Sequence, residues 1–373
     1  MAQGMGPEDM QHAETRCRVF WLLQRLSSYS LWARKRDAWR AFAQAFETAV
    51  NTWPEDDPER MDADLLPRVL QTVGLYDRGV EQLGKGHRFV WLIGEPLAEA
   101  LLNSDTVSSQ LYRHPDYWER WSQLAPYPPK VEALNRLLLA SRWQGDYAPV
   151  EVPDAPHLSA VFDDTGVLLD PQRYQYHFHR MPYPVFPETL PEVPPGTEII
   201  IASGTSVPVD GIWEPITRQR EKILGLLPVG AGSIVNNGCF NYLVKGACAP
   251  AMMRTWDHAA PQLERVPTEW RLLWADERYR NGVVPDESEY FLSPREAGAA
   301  SVETMALGTQ CRTGEVCPVS GMWRAEGFER PAHFVAAGDT FSALTAPVGG
   351  TGELREQWVT WHLVKRAERT GVE

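Results

Sequence analysis

Two stretches decide how the C-terminal half of this chain is expected to fold: Val207-Pro-Val-Asp-Gly-Ile-Trp213 and Cys317-Pro-Val-Ser-Gly-Met-Trp323. They share the pattern Pro-Val-[Asp/Ser]-Gly-x-Trp and lie 110 positions apart. Proline presets a turn, glycine accepts backbone conformations that other residues resist, and tryptophan can fill a small core. The repeat therefore predicts two related β modules of the small-barrel, SH3-like kind.

The positions that the two copies share have a structural and a functional interpretation. As a structural motif they build a turn and a core, whereas aromatic residues near turns also line the peptide-binding grooves of some small barrels. The two copies share no titratable group, which favours the structural interpretation. The residues concerned are Pro208, Gly211, Trp213, Pro318, Gly321 and Trp323.

The chain before the repeat has a helical pattern. From Thr15 to about Trp53, apolar residues recur at spacings of three, four or seven, which predicts one long helix or two helices split near Ser27-Ser28. Further helical patterns lie near 63–76, 96–103, 107–124 and 129–143. Residues 151–200 then hold nine of the 30 prolines, a density that disfavours helices, and short β-type runs begin there.

These patterns together predict an α+β chain with an all-helical N-terminal domain followed by two small SH3-like β modules. The predicted boundaries are 1–148 for the helical domain, 149–255 for the first β-rich module, and 256–373 for the second β-rich module with a mixed linker.

Composition limits the partners that the chain can have. The 373 residues carry 36 Lys and Arg against 49 Asp and Glu, a net charge of −13. Such an acidic chain is a poor ligand for nucleic acid or for anionic membranes, and it suits a basic protein. The sequence shows no run of about 20 apolar residues and no secretory signal, and its five scattered cysteines do not indicate a disulfide framework. We therefore expect a cytoplasmic protein.

A search for catalytic and metal-binding patterns predicts neither. The sequence contains no phosphate-binding loop, no G-x-G-x-x-G after a strand, no G-x-S-x-G and no H-E-x-x-H. Cys311, Cys317 and His333 are spaced more widely than zinc-finger ligands, and the His177–His179 pair has no third ligand at a useful spacing. The expectation is a protein that is not an enzyme and that uses no metal and no cofactor.

The stretch from 274 to 290 is the candidate partner-binding site, because carboxylates alternate there with aromatic side chains. Aromatic anchors and steering charges are the usual makeup of an interface hot spot, although a solvated acidic turn is the alternative. The residues proposed for binding are Trp274, Asp276, Glu277, Tyr279, Asp286, Glu287, Glu289 and Tyr290.

A family resemblance supports a binding function. The stretch Cys317-Pro-Val-Ser-Gly-Met-Trp323 resembles a C-P-x-[ST]-G-x-W element of bacterial polymorphic-toxin and type VI secretion proteins, and Trp274-Ala-Asp-Glu-Arg-Tyr279 with Val284–Tyr290 resembles a second element of the same set. The arrangement is similar to a group of their immunity proteins. In the first copy, Val207 stands in place of the cysteine, which argues against a required catalytic role for Cys317.

The resemblance implies that the protein binds a cognate toxin and neutralises it by stoichiometric inhibition in the cytoplasm. An effector adaptor or chaperone of a secretion system is the alternative, and an unrecognised enzyme is the third hypothesis. The oligomeric state is left open.

Overall fold

The computed structural model describes residues 10–119, 122–142, 160–162, 166–169, 175–176, 179–180, 183–223, 227–255, 263–292, 306–313, 315, 317–328, 331–335, 339, 341, 344–347, 354–357 and 359–366. A helical region over residues 13–142 is followed by a β-rich region with several small antiparallel sheets. The predicted α+β class is confirmed.

The helical region contains five α-helices and two short 3₁₀ turns within the described residues. The helices are α1 (Ala13–Leu26), α2 (Tyr29–Thr52), α3 (Leu66–Gly84), α4 (Pro96–Gln110) and α5 (Pro129–Arg142), and the 3₁₀ turns are Ala63–Leu65 and Phe89–Trp91. A break at Ser27-Ser28 separates α1 from α2, and the Ser28 hydroxyl caps α2 by accepting a hydrogen bond from the Leu31 amide at 3.3 Å. None of the described helices combines the length and apolar composition that crossing a membrane requires.

The helix predicted near 107–124 is wrong over most of its length. Helix α4 ends at Gln110, and strands β1 (Trp118–Glu119) and β2 (Ser122–Gln123) pair as a short antiparallel hairpin. Pro115 explains the difference, because it lacks an amide donor and disfavours the helical conformation at His114.

The β-rich region contains one further helix and sixteen further strands within the described residues. They are β3 (Ala160–Phe162), α6 (Gly166–Leu169), β4 (Gln175–Tyr176), β5 (His179–Arg180), β6 (Ile200–Ala202), β7 (Gly211–Ile223), β8 (Leu227–Asn236), β9 (Asn241–Leu243), β10 (Ala251–Thr255), β11 (Leu263–Val266), β12 (Glu269–Ala275), β13 (Gln310–Arg312), β14 (Gly321–Ala325), β15 (His333–Val335), β16 (Leu344–Pro347), β17 (Leu354–Gln357) and β18 (Thr360–Arg366), with a 3₁₀ turn at Ser288–Phe291.

Two sets of four strands have the same pairing order. In the first repeat, which we define as β6, β7, β9 and β12, the order is β6-β12-β7-β9, and β8 continues the ladder of β7. In the second repeat, defined as β13, β14, β15 and β18, the order is β13-β18-β14-β15. Every pairing in both sets is antiparallel. The motif strand, β7 or β14, occupies the same place in each.

The register is also the same in both repeats. Trp213 lies opposite Leu272, and Trp323 lies opposite Leu363. Trp213 and Trp323 are completely buried, each in the core of its own sheet. The first core also contains Trp270, two residues before Leu272, and the second contains Trp361, two residues before Leu363. The equivalence extends through the whole sheet, so the sequence repeat reflects a duplicated four-strand unit.

The motif glycine is required because the backbone of the neighbouring strand passes too close for a side chain. A β-bulge interrupts the ladder beside the motif tryptophan in both repeats. A methyl group on Gly211 would overlap the carbonyl oxygen of Trp274, and one on Gly321 would overlap that of Lys365. The role of Gly321 is thus close approach rather than the positive φ expected of a turn, since Gly321 is not among the positive-φ glycines.

The chain divides into two compact units. One consists of Met1–Leu169 and Pro191–Pro285, and the other of Asp170–Leu190 and Asp286–Glu373. The helical region and the first repeat therefore share a unit, and β12 completes the first sheet from beyond residue 255. The predicted domain boundaries at 148 and 255 stay predictions, and so does the SH3-like description of the two β modules.

Candidate functional site

The candidate partner-binding stretch separates into buried and exposed residues. Asp276 and Tyr279 are 2% exposed, and Trp274 is half-buried with its ring 6.2 Å from that of Phe20 on α1. Glu277 is on the surface, where it pairs with Arg280 at 2.9 Å. The buried residues of this part therefore contact the helical region of the same unit.

Asp276 is the centre of a buried ionic cluster. Its Oδ2 atom lies 2.9 Å from the Arg88 guanidinium and 2.8 Å from that of Arg278, and it accepts a hydrogen bond of 2.7 Å from the Tyr242 hydroxyl. Burial alone would raise the pKa of Asp276, but the hydrogen bond and charge of Arg278, together with the charge of Arg88, lower it to about 2. The carboxylate is therefore ionised across the physiological range, and burial raises the pKa of Tyr242 well above its ordinary value.

The residues after Asp276 bind the ends of two helices. Arg278 donates to the carbonyl oxygens of Gln24 and Ser27 at 3.0 and 3.3 Å, where α1 ends. The Tyr279 hydroxyl accepts a hydrogen bond of 2.8 Å from the Tyr29 amide, where α2 begins. A cation at a helix C-terminus and an acceptor at a helix N-terminus satisfy backbone groups that the helices leave unpaired. Residues 276–279 thus join the first repeat to α1 and α2.

The rest of the stretch belongs to the other compact unit. Asp286 and Glu289 are exposed, and Asp286 accepts a hydrogen bond of 3.0 Å from the Ser288 amide. Glu287 and Tyr290 are only 4% and 8% exposed. The carboxylates available to a partner are therefore Glu277, Asp286 and Glu289, and the binding role of all eight residues stays a prediction.

A pocket of about 590 Å³ lies where α1 meets the first repeat. Its wall includes Arg16 and Cys17 of α1, the segment from 192 to 196, and Glu214 and Arg271 of the sheet. Glu214 is buried, and its carboxylate is 2.8 Å from Arg271 Nε and 3.4 Å from Arg16 Nη2. The two guanidinium groups neutralise the buried carboxylate, so the pocket wall is itself an ion-pair network between helix and sheet.

Sequence reasoning did not identify Arg16, Arg88 and Glu214 as a set, because they are distant in the chain. One signal was present for Glu214: it follows the motif tryptophan, so in a strand its side chain lies on the face opposite the core. Ile212 lies on that same face, and both are fully buried, which indicates that another element covers it.

Cysteines and histidines do not assemble a metal site in the part of the chain that the structure describes, where no group of three potential ligands converges. Cys317 is fully buried, and its thiol donates to the Val319 carbonyl at 3.1 Å. Burial raises the pKa of Cys311 to about 12 and that of Cys317 to about 11. These thiols are therefore protonated core residues. His177 lies outside the described residues.

Two known protein families match separate segments of the chain. The family model of Immunity protein 71 matches residues 10–92, and that of Immunity protein 72 matches residues 192–292. These matches confirm the resemblance to immunity proteins of the polymorphic-toxin type. The segment matched by Immunity protein 72 includes the first copy of the motif but does not reach the second. No curated protein and no solved structure matches the chain.

The ionic cluster joins the two matched segments. Arg88 lies in the segment matched by Immunity protein 71, and Asp276, Arg278 and Tyr242 lie in the segment matched by Immunity protein 72. Immunity protein families are inhibitors rather than enzymes, and they imply a toxin as the partner.

Proposed function

We propose that this chain, which contains segments of two immunity protein families, binds a cognate secreted toxin in the cytoplasm and neutralises it by stoichiometric inhibition. The observation that carries the proposal is the pair of family matches at residues 10–92 and 192–292. Their packing into one unit through Arg88 and Asp276 supports a single binding protein rather than two independent ones. Under this proposal the chain is not an enzyme and needs no metal or cofactor.

The charge of the chain supports a basic toxin. The net charge is −13, and Glu277, Asp286 and Glu289 present carboxylates to solvent. Negative surface speeds the encounter with a basic partner and selects against nucleic acid and anionic membranes. We include these three residues among those proposed to contact the toxin, together with Trp274, whose ring packs on Phe20 of α1.

Co-expression with the product of the neighbouring open reading frame, taken as the candidate toxin, tests the proposal. We expect the toxin alone to stop growth, this chain to restore it, and the two proteins to co-purify in a fixed ratio that does not change with excess of either. The purified chain should contain no stoichiometric zinc.

Two outcomes would contradict inhibition in different ways. Formation of a stable complex with full toxicity would favour the effector adaptor or chaperone. Restored growth without a complex, together with turnover of a small molecule, would favour an enzyme.

A further inference from the structure

The two repeats have equivalent outer faces, by which we mean the side of each four-strand sheet that points away from its tryptophan core. Side chains alternate along a strand, and residues opposite each other in the ladder share a face. In the first repeat the outer face therefore includes Ile212, Glu214, Tyr242 and Trp274. In the second repeat the corresponding register positions are Met322, Arg324, Phe334 and Lys365.

The helical region covers the outer face of the first repeat. Trp91 lies 5.9 Å from Tyr242, Phe20 lies 6.2 Å from Trp274, and Arg16 of α1 approaches Glu214 at 3.4 Å. As a result Ile212 and Tyr242 have no exposed surface, and Glu214 is 1% exposed. This face is thus the docking site of the amphipathic helix α1, which supplies the Phe20 ring and the charge of Arg16, and of the 3₁₀ turn Phe89–Trp91, which supplies the Trp91 ring.

On the outer face of the second repeat, the four described side chains are exposed or half-buried. Phe334 occupies the register position of Tyr242, yet it is 60% exposed, and Arg324 and Lys365 are also exposed. Met322, at the position of Ile212, is half-buried. Between residues 306 and 366 the described residues form strands and turns only, without a helix to lie on this sheet. Phe334 lies on β15, the edge strand of this sheet, and directly opposite Met322 in the ladder, so the two side chains form an apolar patch beside the cationic Arg324, which indicates an interaction surface.

The charge at one position identifies the occupant. Glu214 accepts the Arg16 guanidinium of α1, whereas Arg324 occupies the equivalent position in the second repeat. A helix that docks there in the same manner needs a carboxylate where α1 has Arg16. A second copy of this chain is therefore a poor occupant, because its α1 would place Arg16 against Arg324.

We propose that the outer face of the second repeat binds an amphipathic helix of the toxin, with its apolar stripe on Phe334 and Met322 and a carboxylate at Arg324. The inference rests on the proposed function, since it assigns the toxin's docking element. It also explains why the sheet is duplicated: the first copy packs against the chain's own helix α1, and the second copy binds a helix of the toxin.

The test compares Phe334→Ala and Arg324→Glu with Leu307→Ala in binding to the toxin identified by the co-expression experiment, inactivated by mutation. Leu307 is a matched control because it is 62% exposed in the same compact unit but precedes β13 rather than lying in the sheet. We expect Phe334→Ala and Arg324→Glu each to raise the dissociation constant tenfold or more, and Leu307→Ala to raise it less than twofold. All three variants should keep the wild-type circular dichroism spectrum.

A photo-crosslinking residue at 334 gives an independent readout. We expect it to capture a helical segment of the toxin that contains acidic residues, while the same residue at 307 captures none. Wild-type affinity in both face variants, or capture of a second copy of this chain at 334, would overturn the inference while leaving inhibition intact. Absence of any complex with the wild-type chain would instead overturn the proposed function.

Discussion

The guanidinium of Arg88 lies 2.9 Å from the carboxylate of Asp276, and neither side chain is more than 1% exposed. The two residues come from segments that match different immunity protein families. A buried charge without its counter-charge is strongly destabilising, so the ion pair couples the stability of the helical segment to that of the first sheet. Arg278, on the other side of Asp276, reinforces the coupling by binding the end of α1.

Replacing Asp276 with asparagine should therefore destabilise the chain. The substitution leaves the buried Arg88 and the half-buried Arg278 without a carboxylate, and we expect the free energy of unfolding to fall by about 3–5 kcal/mol. Glu277→Gln is the matched control: this neighbouring carboxylate is 69% exposed, and its loss should change the free energy by less than about 0.5 kcal/mol. Urea unfolding measures both. Equal midpoints for the two variants would contradict a structural role for the cluster.

Stability should also depend on pH through Asp276. Because folding lowers the pKa of this carboxyl from 3.8 to about 2, its ionisation stabilises the folded chain above about pH 4, and that contribution is lost as the pH falls toward 2. The shift corresponds to about 2 kcal/mol. The stability difference between wild type and Asp276→Asn should thus narrow between pH 5 and pH 2.5. A constant difference would show that the carboxyl charge is not responsible.

The motif residues of the second repeat should be essential for its core. Trp323→Ala removes a fully buried ring that packs 4.8 Å from Phe341, and we expect a loss of about 3–5 kcal/mol. Gly321→Val places a side chain against the Lys365 backbone and should cost about 1–3 kcal/mol. Arg324→Val, on the exposed face of the same strand, is the control and should melt like wild type. Unchanged melting of Trp323→Ala would place that ring outside the core.

The five cysteines should differ in reactivity. Cys239, Cys311 and Cys317 are buried, whereas Cys17 and Cys248 are half-buried. Burial raises the pKa values of Cys311 and Cys317 to about 12 and about 11, and only the thiolate reacts. A disulfide reagent at pH 8 should label Cys17 and Cys248 in the native chain and the other three only after unfolding, as peptide mapping can show. Rapid native labelling of Cys317 would contradict its place in the core.

Association with the toxin should slow as the salt concentration rises. The double variant Glu277→Lys with Glu289→Lys reverses two exposed carboxylates, so we expect a lower association rate with an unchanged dissociation rate. The reversal avoids Glu287, which is 4% exposed and whose replacement would disturb the fold. Stopped-flow binding at low and high salt provides the measurement. An association rate that changes neither with salt concentration nor in the double variant would place the contact away from these carboxylates.

Local patterns in the sequence were sufficient for several features. Apolar periodicity predicted the helical region, because a helix must bury one stripe of its surface. It left open whether Thr15 to Trp53 forms one helix or two, and the structure has two, separated at Ser27-Ser28. The Pro-Val-x-Gly-x-Trp repeat predicted two related β units, because the same turn, glycine and core tryptophan recur in both copies. Neighbouring residues carry these signals.

The site residues depended on tertiary structure, because their partners are far away in the chain. Asp276 and Tyr279 are of the residue types found at binding surfaces, but in the structure both are buried. Arg88 pairs with Asp276, and the Tyr29 amide donates to the Tyr279 hydroxyl. The difference between Tyr242 and Phe334 has the same origin: their strands have equivalent registers, but Trp91 of the helical region packs on Tyr242, whereas Phe334 is 60% exposed. The sequence by itself determined the class of fold and the duplication, and the long-range packing decided which faces are used within the chain and which are open to a partner.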